Sequence, residues 1–139
     1  MREYLSNDDG ILAGWLRVTP LVHDVALIKK EVLPTPARLH HISYWLNDSQ
    51  DILRAADILK ENGLQFIGPG KHGVSQAIYL YVMDPGSGCR VELFSGGYLI
   101  FEPDWEPVEW TMEERALSNT YWGDTVQDKE LNNITIEAR

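Results

Sequence analysis

An α+β fold is predicted for this chain of 139 residues. Two observations carry the prediction. Short apolar runs with period-two alternation, separated by Asp-, Gly- and Pro-rich turns, recur along most of the sequence, and a single stretch near residues 49–62 spaces its apolar positions for a helix. From residue 38 onward the order is strand, helix, then further strands.

Asn7-Asp8-Asp9-Gly10 is a turn signal, because Asp-Gly favours the positive dihedrals of tight hairpins. A strand follows from Ile11 to Val18, and a second from His23 to Ile28 pairs with it antiparallel across Thr19-Pro20. Lys29 to Ala37 carries Pro34 and Pro36, which remove backbone donors and extend their predecessors, so this stretch reads as a linker. Leu39 to Leu46 is the next strand. Alternation places Leu39, His41, Ser43 and Trp45 on one face and His40, Ile42 and Tyr44 on the other, so His40 faces away from His41.

Asp48 or Ser49 caps a helix that runs to about Asn62, with Ile52, Leu53, Ala56 and Leu59 on one stripe and Gly63 ending it. Gly68-Pro69-Gly70 breaks regularity. Ala77 to Met83 and Arg90 to Ser95 are strands joined by the turn Asp84-Pro85-Gly86-Ser87-Gly88. After Gly97, residues Pro103, Trp105, Pro107 and Trp110 mark an extended arm, followed by a short helix near Glu113 to Leu117 and a polar tail.

At 44% hydrophobic, the chain supports one domain with a real core. Its formal charge of -9 disfavours phosphate backbones and anionic membranes as partners; a small neutral or apolar substrate fits better. The single cysteine, Cys89, forms no internal disulfide and has no second cysteine for a structural zinc site. Met1-Arg2-Glu3-Tyr4 lacks a signal-peptide apolar run, and no apolar stretch approaches the roughly 20 residues that span a bilayer, so the cytoplasm is the expected location. Glycine-rich phosphate loops, Gly-x-Ser-x-Gly elbows and His-Glu-x-x-His motifs are absent from the sequence.

Chemistry concentrates in a few side chains. Glu92, between Val91 and Leu93, faces a desolvation cost if buried, which a metal or an arginine such as Arg90 or Arg38 offsets; on an edge strand it simply meets solvent. His41 is either a packed strand histidine or a metal ligand. One histidine and one carboxylate make two-thirds of the facial triad that holds non-haem Fe(II) while leaving positions open for substrate and oxygen. His72 sits between Gly70-Lys71 and Gly73, as an exposed loop residue or a general acid. Tyr79 and Tyr81 share a strand face as core aromatics, or as phenol donors to an oxyanion. His23 is a packed histidine or a proton-transfer group.

The ordered set His23-Asp24-Val25-Ala26, Arg38-Leu39-His40-His41-Ile42-Ser43, Gly68-Pro69-Gly70-Lys71-His72-Gly73, Tyr79-Leu80-Tyr81-Val82-Met83-Asp84-Pro85 and Glu92-Leu93-Phe94 resembles one family. It is similar to the C-terminal, catalytic domain of type I extradiol ring-cleavage dioxygenases of the catechol 2,3-dioxygenase kind, within the vicinal oxygen chelate superfamily. The resemblance extends from Glu3 to Thr111 and includes the helix stretch Asp51-Ile52-Leu53-Arg54-Ala55-Ala56-Asp57.

The resemblance implies a fold of βαβββ modules, with residues 1–37 as the later strands of a first module, 38–98 as a complete second module and 99–139 as arm and tail. It implies Fe(II), or alternatively Mn(II), held by His41 and Glu92. His23 then resembles the acid–base histidine, and His72 and Tyr81 the pair that hydrogen-bonds a substrate oxygen. The implied activity is ring opening of a catechol-type aromatic diol by dioxygen. The family's first metal-binding histidine has no counterpart here, since the strand and helix that carry it are not in this chain. The expectation is therefore a third ligand from outside the chain, through a homo-oligomer or a companion polypeptide, with apolar surface exposed around Ile11 to Val18. The alternative is a noncatalytic metal- or ligand-binding module of the same fold.

Overall fold

The computed structural model describes residues 1–29, 38–124 and 136–137. The expected linker therefore falls almost wholly outside the described residues, as does most of the polar tail.

Three strands open the chain as an antiparallel meander: β1 (Glu3–Asn7), β2 (Gly10–Leu16) and β3 (Val25–Ile28). The hairpin between β1 and β2 is the Asp-Gly turn, with Gly10 at φ 116°, a backbone region that L side chains rarely adopt. Strand β1 was not legible before that turn, because Glu3 occupies an inward position that alternation reserves for an apolar residue. Strand β2 ends at Leu16 rather than Val18. Asp24 Oδ2 accepts the backbone N–H groups of Val18 and Thr19, at 2.7 and 3.0 Å, and folds the chain back early. His23 consequently lies in this turn, just ahead of β3.

The second sheet contains a complete βαβββ unit. Strand β4 (Arg38–Leu39) pairs only with β11 (Ile136–Glu137) among the described residues. Then come β5 (Ile42–Trp45), helix α1 (Ser49–Glu61), β6 (Phe66–Lys71), β7 (Ala77–Met83) and β8 (Arg90–Gly96). The order is β10-β6-β7-β8-β5, where β5 runs parallel to β8 and β10 is Trp122–Gly123. Parallel pairing of β5 and β8 requires a crossover, and α1 supplies it.

Helix α1 begins where Asp48 accepts the Gln50 N–H at 2.9 Å, carries Asp51 in its first turn and Lys60 in its last, and stops before Gly63 at φ 71°. Its stripe holds Ile52, fully buried, with Ala56 and Leu59 half-buried. Leu53, assigned to that stripe from the sequence, is exposed instead. Burying a side chain such as Ile52 contributes about 1.5–3 kcal/mol, and this one anchors the helix on the sheet.

Two further expectations change. The strand expected over Leu39 to Leu46 is broken, since His40 and His41 lie in neither β4 nor β5. Period-two alternation therefore does not govern them. Gly68-Pro69-Gly70 does not break the sheet; β6 runs through it with a register shift between Ile67 and Gly70 and a cis Gly68-Pro69 bond. Gly70 is needed there, because a Cβ would lie 2.4 Å from the Tyr79 ring.

The arm joins the two sheets. Ile100, buried, donates its N–H to Pro20 O at 2.8 Å. Strand β9 (Val108–Trp110) then adds to β1 in parallel, giving the order β3-β2-β1-β9. Helix α2 (Arg115–Asn119) lies two residues later than expected, and β10 closes on β6. The core centres on Ile67, Tyr79 and Tyr81. In contrast, every residue of the edge strands β3 and β5 is exposed.

Candidate metal and acid–base centre

Register builds the site as a row across one sheet. Ser43 on β5 stands opposite Glu92 on β8, and Glu92 stands opposite Tyr81 on β7. Paired residues share a face, so one hydroxyl, one carboxylate and one phenol meet side by side. Glu92 is 6% exposed and accepts a short hydrogen bond from Ser43 Oγ at Oε2.

Two imidazoles bracket this carboxylate. His41 Nε2 lies 3.2 Å from Oε2, and His72 Nε2 lies 3.2 Å from Oε1. Burial by itself pushes the Glu92 carboxyl up, but the hydrogen bonds from His41 and His72, with the electrostatic pull of the two rings, outweigh it and hold the group well below the usual carboxylate range. Glu92 is therefore a buried anion.

The break between β4 and β5 brings the two adjacent histidines into contact, with His40 Nδ1 2.6 Å from His41 Nδ1. This overturns the expectation that they point in opposite directions. Arginine only donates, so Arg90 Nη1, 3.0 Å from His40 Nε2, makes that nitrogen an acceptor. A neutral His40 then carries its proton on Nδ1 and donates to His41 Nδ1. His41 in turn carries its proton on Nε2, facing Glu92. Burial, then the electrostatics of the neighbouring His41 ring and Arg90 guanidinium, push His40 down to about 3 and keep it neutral.

His72 belongs to the same cluster, not to an exposed loop. Its Nδ1 makes a short contact with the Asn119 carbonyl, which only accepts, so Nδ1 donates there. Nε2 faces the Tyr81 hydroxyl at 3.0 Å and Glu92 Oε1 at 3.2 Å, and because the carboxylate only accepts, Nε2 is the donor of that bond. The ring stacks on Tyr79 with centroids 4.1 Å apart. Burial, followed by the Glu92 charge and hydrogen bond, raises Tyr81 well above its usual 10, so its phenol remains a donor.

His23 lies within electrostatic reach of Glu92, His41 and His72. Its Nδ1 is buried without a hydrogen-bond partner among the described residues. Burial pushes the imidazole down to about 4, partly countered by Glu92. The structure thus brings together all five residues singled out from the sequence: His23, His41, His72, Tyr81 and Glu92.

The donor set suits a divalent metal in part. Cis ligands of an octahedral ion, each at about 2.1 Å, stand about 3 Å apart. The 3.2 Å between His41 Nε2 and Glu92 Oε2 fits that spacing. Among the described residues, however, no group of three His, Cys, Asp or Glu side chains is placed to hold an ion. A metal would also displace the proton on His41 Nε2.

Sequence reasoning missed Ser43 as the partner of Glu92, His40 and Arg90 as a chain behind His41, and Tyr79 as the platform under His72. Ser43 was visible in principle, two positions beyond His41. The His40 contact was not, because it depends on a strand break with no composition signal.

Residues 6–93 match the Glyoxalase/Bleomycin resistance protein/Dioxygenase superfamily. The chain is 57% identical over 126 residues to a manganese-dependent 2,3-dihydroxybiphenyl 1,2-dioxygenase of Geobacillus genomosp. 3, covering 88% of this chain and 40% of that protein. It is 40% identical to a metapyrocatechase of Geobacillus stearothermophilus, over 88% of this chain and 37% of the relative. Among solved structures, homoprotocatechuate 2,3-dioxygenase of Brevibacterium fuscum, as an anaerobic complex with 3,4-dihydroxyphenylacetate, superimposes with a TM-score of 0.81 at 27% identity, over 96% of this chain and 41% of that one. The chain spans about two-fifths of the length of these relatives.

Proposed function

The chain belongs to the glyoxalase/bleomycin resistance protein/dioxygenase superfamily, and from that membership we propose that it serves extradiol cleavage of a catechol-type aromatic diol by dioxygen. The observation that carries this reading is the buried anion Glu92, set 3.2 Å from His41 Nε2 and surrounded by His23, His72 and Tyr81. The name of one relative, a manganese-dependent 2,3-dihydroxybiphenyl 1,2-dioxygenase, supports the diol and a Mn(II) ion, with Fe(II) the ion that the family resemblance implies.

His41 and Glu92 would hold the metal, which when bound supplies adjacent open positions for a diol and for dioxygen. The remaining residues handle protons and oxygens. His23, neutral above about pH 4 and with a free nitrogen, accepts a proton from a diol hydroxyl and later returns it. Tyr81 and His72 donate to a diol oxygen. His72 keeps its aim because Nδ1 is fixed on Asn119. Arg90 and His40 stand behind His41 and set its orientation.

The third ligand comes from outside the described residues, and a companion polypeptide or a second copy of the chain is one source of it. The exposed edge strands β3 and β5, with Val25, Leu27, Ile42 and Trp45, support such a partner. No helix among the described residues is long and apolar enough to cross a membrane, and we place the reaction in the cytoplasm.

Anaerobic reconstitution with Fe(II) or Mn(II), followed by catechol and oxygen, tests the proposal through oxygen uptake and the yellow ring-cleavage product. His41→Ala and Glu92→Ala are expected to abolish turnover together with metal binding. His23→Ala is expected to retain the metal and lower kcat by about 10²–10⁴-fold. Metal retained at full stoichiometry in both ligand variants would overturn the assignment, and absence of turnover with any partner added would favour the noncatalytic module.

A further inference from the structure

Glu3 is a second buried carboxylate, distant in sequence from every group discussed above. It is 1% exposed and accepts three hydrogen bonds: from Ser75 N–H and Tyr98 O–H at Oε1, both at 2.7 Å, and from Trp110 Nε1–H at Oε2, at 2.6 Å. These donors come from two different segments. Ser75 lies in the loop between β6 and β7, while Tyr98 and Trp110 lie in the arm.

The loop starts at His72, whose backbone N–H pairs with Ala77 O at 3.0 Å, so only residues 73–76 separate the two sides of the hairpin. Within it Ser75 and Gln76 have φ of 60° and 59°, a conformation costly for residues with a Cβ. Gln76 closes the loop on itself, N–H to Val74 O and Nε2 to Gly73 O, both at 2.7 Å, and Ser75 ties it to the rest of the fold, N–H to Glu3 and O from Tyr98 N–H at 3.2 Å. The other side of the loop rests on α2: Gly73 and Val74 donate to Ser118 O at 3.0 and 2.9 Å, and His72 Nδ1 reaches Asn119 O. Gly73 has no room to move closer, since a Cβ there would sit 2.3 Å from Leu117 O. The imidazole and its acceptor carbonyl therefore belong to separate segments: Glu3 fastens the loop at Ser75, and at Trp110 it fastens the strand that leads, across residues 111–114, into α2, whose last residue is Asn119.

We propose that Glu3 is the positioning residue for His72, fixing the loop that bears the imidazole and the strand that leads into α2, where its acceptor carbonyl lies, to a single buried carboxylate. The inference rests on the role given to His72 above. A carboxylate suits this task better than a neutral side chain. It accepts all three bonds without offering a donor, and bonds to a charged acceptor are roughly twice as strong as neutral ones.

The test is made on the full metal-free chain without substrate, with ¹⁵N-labelled histidine and backbone, so that its result does not depend on ring cleavage. The His72 Nδ1–H resonance is assigned by its loss in His72→Gln. In Glu3→Gln, the amide places a donor toward one of the three donors; Ser75 N–H exchange is expected to accelerate about tenfold and the His72 Nδ1–H resonance to shift. In Glu3→Ala the resonance is expected to broaden away while the amides of Ala77 to Met83 keep their protection. An unmoved His72 resonance alongside accelerated Ser75 exchange, or unchanged Ser75 exchange, overturns the proposal. Should Glu3→Ala fail to fold, Glu3→Gln decides by the same two signals. A chain that shows these shifts yet never opens catechol refutes the catalytic reading alone; an active chain with an unmoved His72 refutes this one.

Discussion

Glu92 and His23 are opposite solutions to burial, one kept charged and the other kept neutral, and both make the fold sensitive to acid. The His23 imidazole is lowered from its ordinary 6.5 to about 4, so between those values the unfolded chain binds a proton that the folded chain does not. Stability then falls as pH falls, by about 1.4 kcal/mol per pH unit for one such group. Glu92, lowered well below 4.5, has the same sign at lower pH: its contribution is present above the unfolded value and is lost as pH drops toward the folded one. Urea titrations at pH 7, 5.5 and 4.5 are expected to show the decline, and His23→Gln should flatten it by about one proton. Ser43→Ala, which removes a donor from Glu92 Oε2, should weaken Mn(II) binding by about 10–100-fold in equilibrium dialysis while leaving the fold intact. Residue by residue, the sequence left Glu92, His41 and His23 open between packed or solvent-facing roles and chemistry, and the order of the five motifs is what singled them out. Glu3 was not readable. Its donors lie as far away as Trp110, and no local pattern reveals that a carboxylate at an inward strand position has been provided with three partners.

Elements with strong local signals emerged as expected. Helix α1 and strands β7 and β8 lie within a residue or so of their expected limits, because caps, turns and periodicity agree there. Those that differ are set by tertiary bonds. The Gly68-Pro69-Gly70 segment reads as a breaker, yet pairing with β7 on either side retains it in the sheet, and the missing side chain at Gly70 admits the Tyr79 ring. The strand break at His40-His41 likewise has no breaker residue, only the partners of two imidazoles. Steric closeness at these places is testable. Gly73→Ala would force its Cβ against the Leu117 carbonyl, and we expect a loss of about 1–3 kcal/mol in chemical denaturation, with α2 displaced from the loop. Unaltered stability would mean that α2 does not bear on the loop.

Across the whole molecule, the sheets are unequal in what they leave bare. Edge strand β3 exposes Val25 at 52% and Leu27 at 61%, and β5 exposes Ile42, Tyr44 and Trp45. Free edges with apolar side chains are templates for association. The expectation of exposed surface around Ile11 to Val18 is met at Ile11, Leu16 and Val18, while Leu12 and Trp15 are partly covered and Ala13 is buried. Leu27→Lys is expected to shift sedimentation toward the monomer without changing the thermal midpoint by more than a few degrees. A parent chain that sediments as a monomer at all concentrations would argue that neither edge is an interface.

The separation of 107 positions between Glu3 and Trp110 also has a consequence in time. At synthesis rates of about 5–20 residues per second, Glu3 emerges from the ribosome roughly 5–20 s before its indole partner. During that interval its charge has no complete set of donors and cannot be buried cheaply. Asn119 follows later still, so His72 has no acceptor for its Nδ1 proton until the arm arrives. The surroundings of His72 are thus completed last, and a nascent chain stalled before the arm would hold His23, His41, His72, Tyr81 and Glu92 without the acceptor that aims the His72 ring.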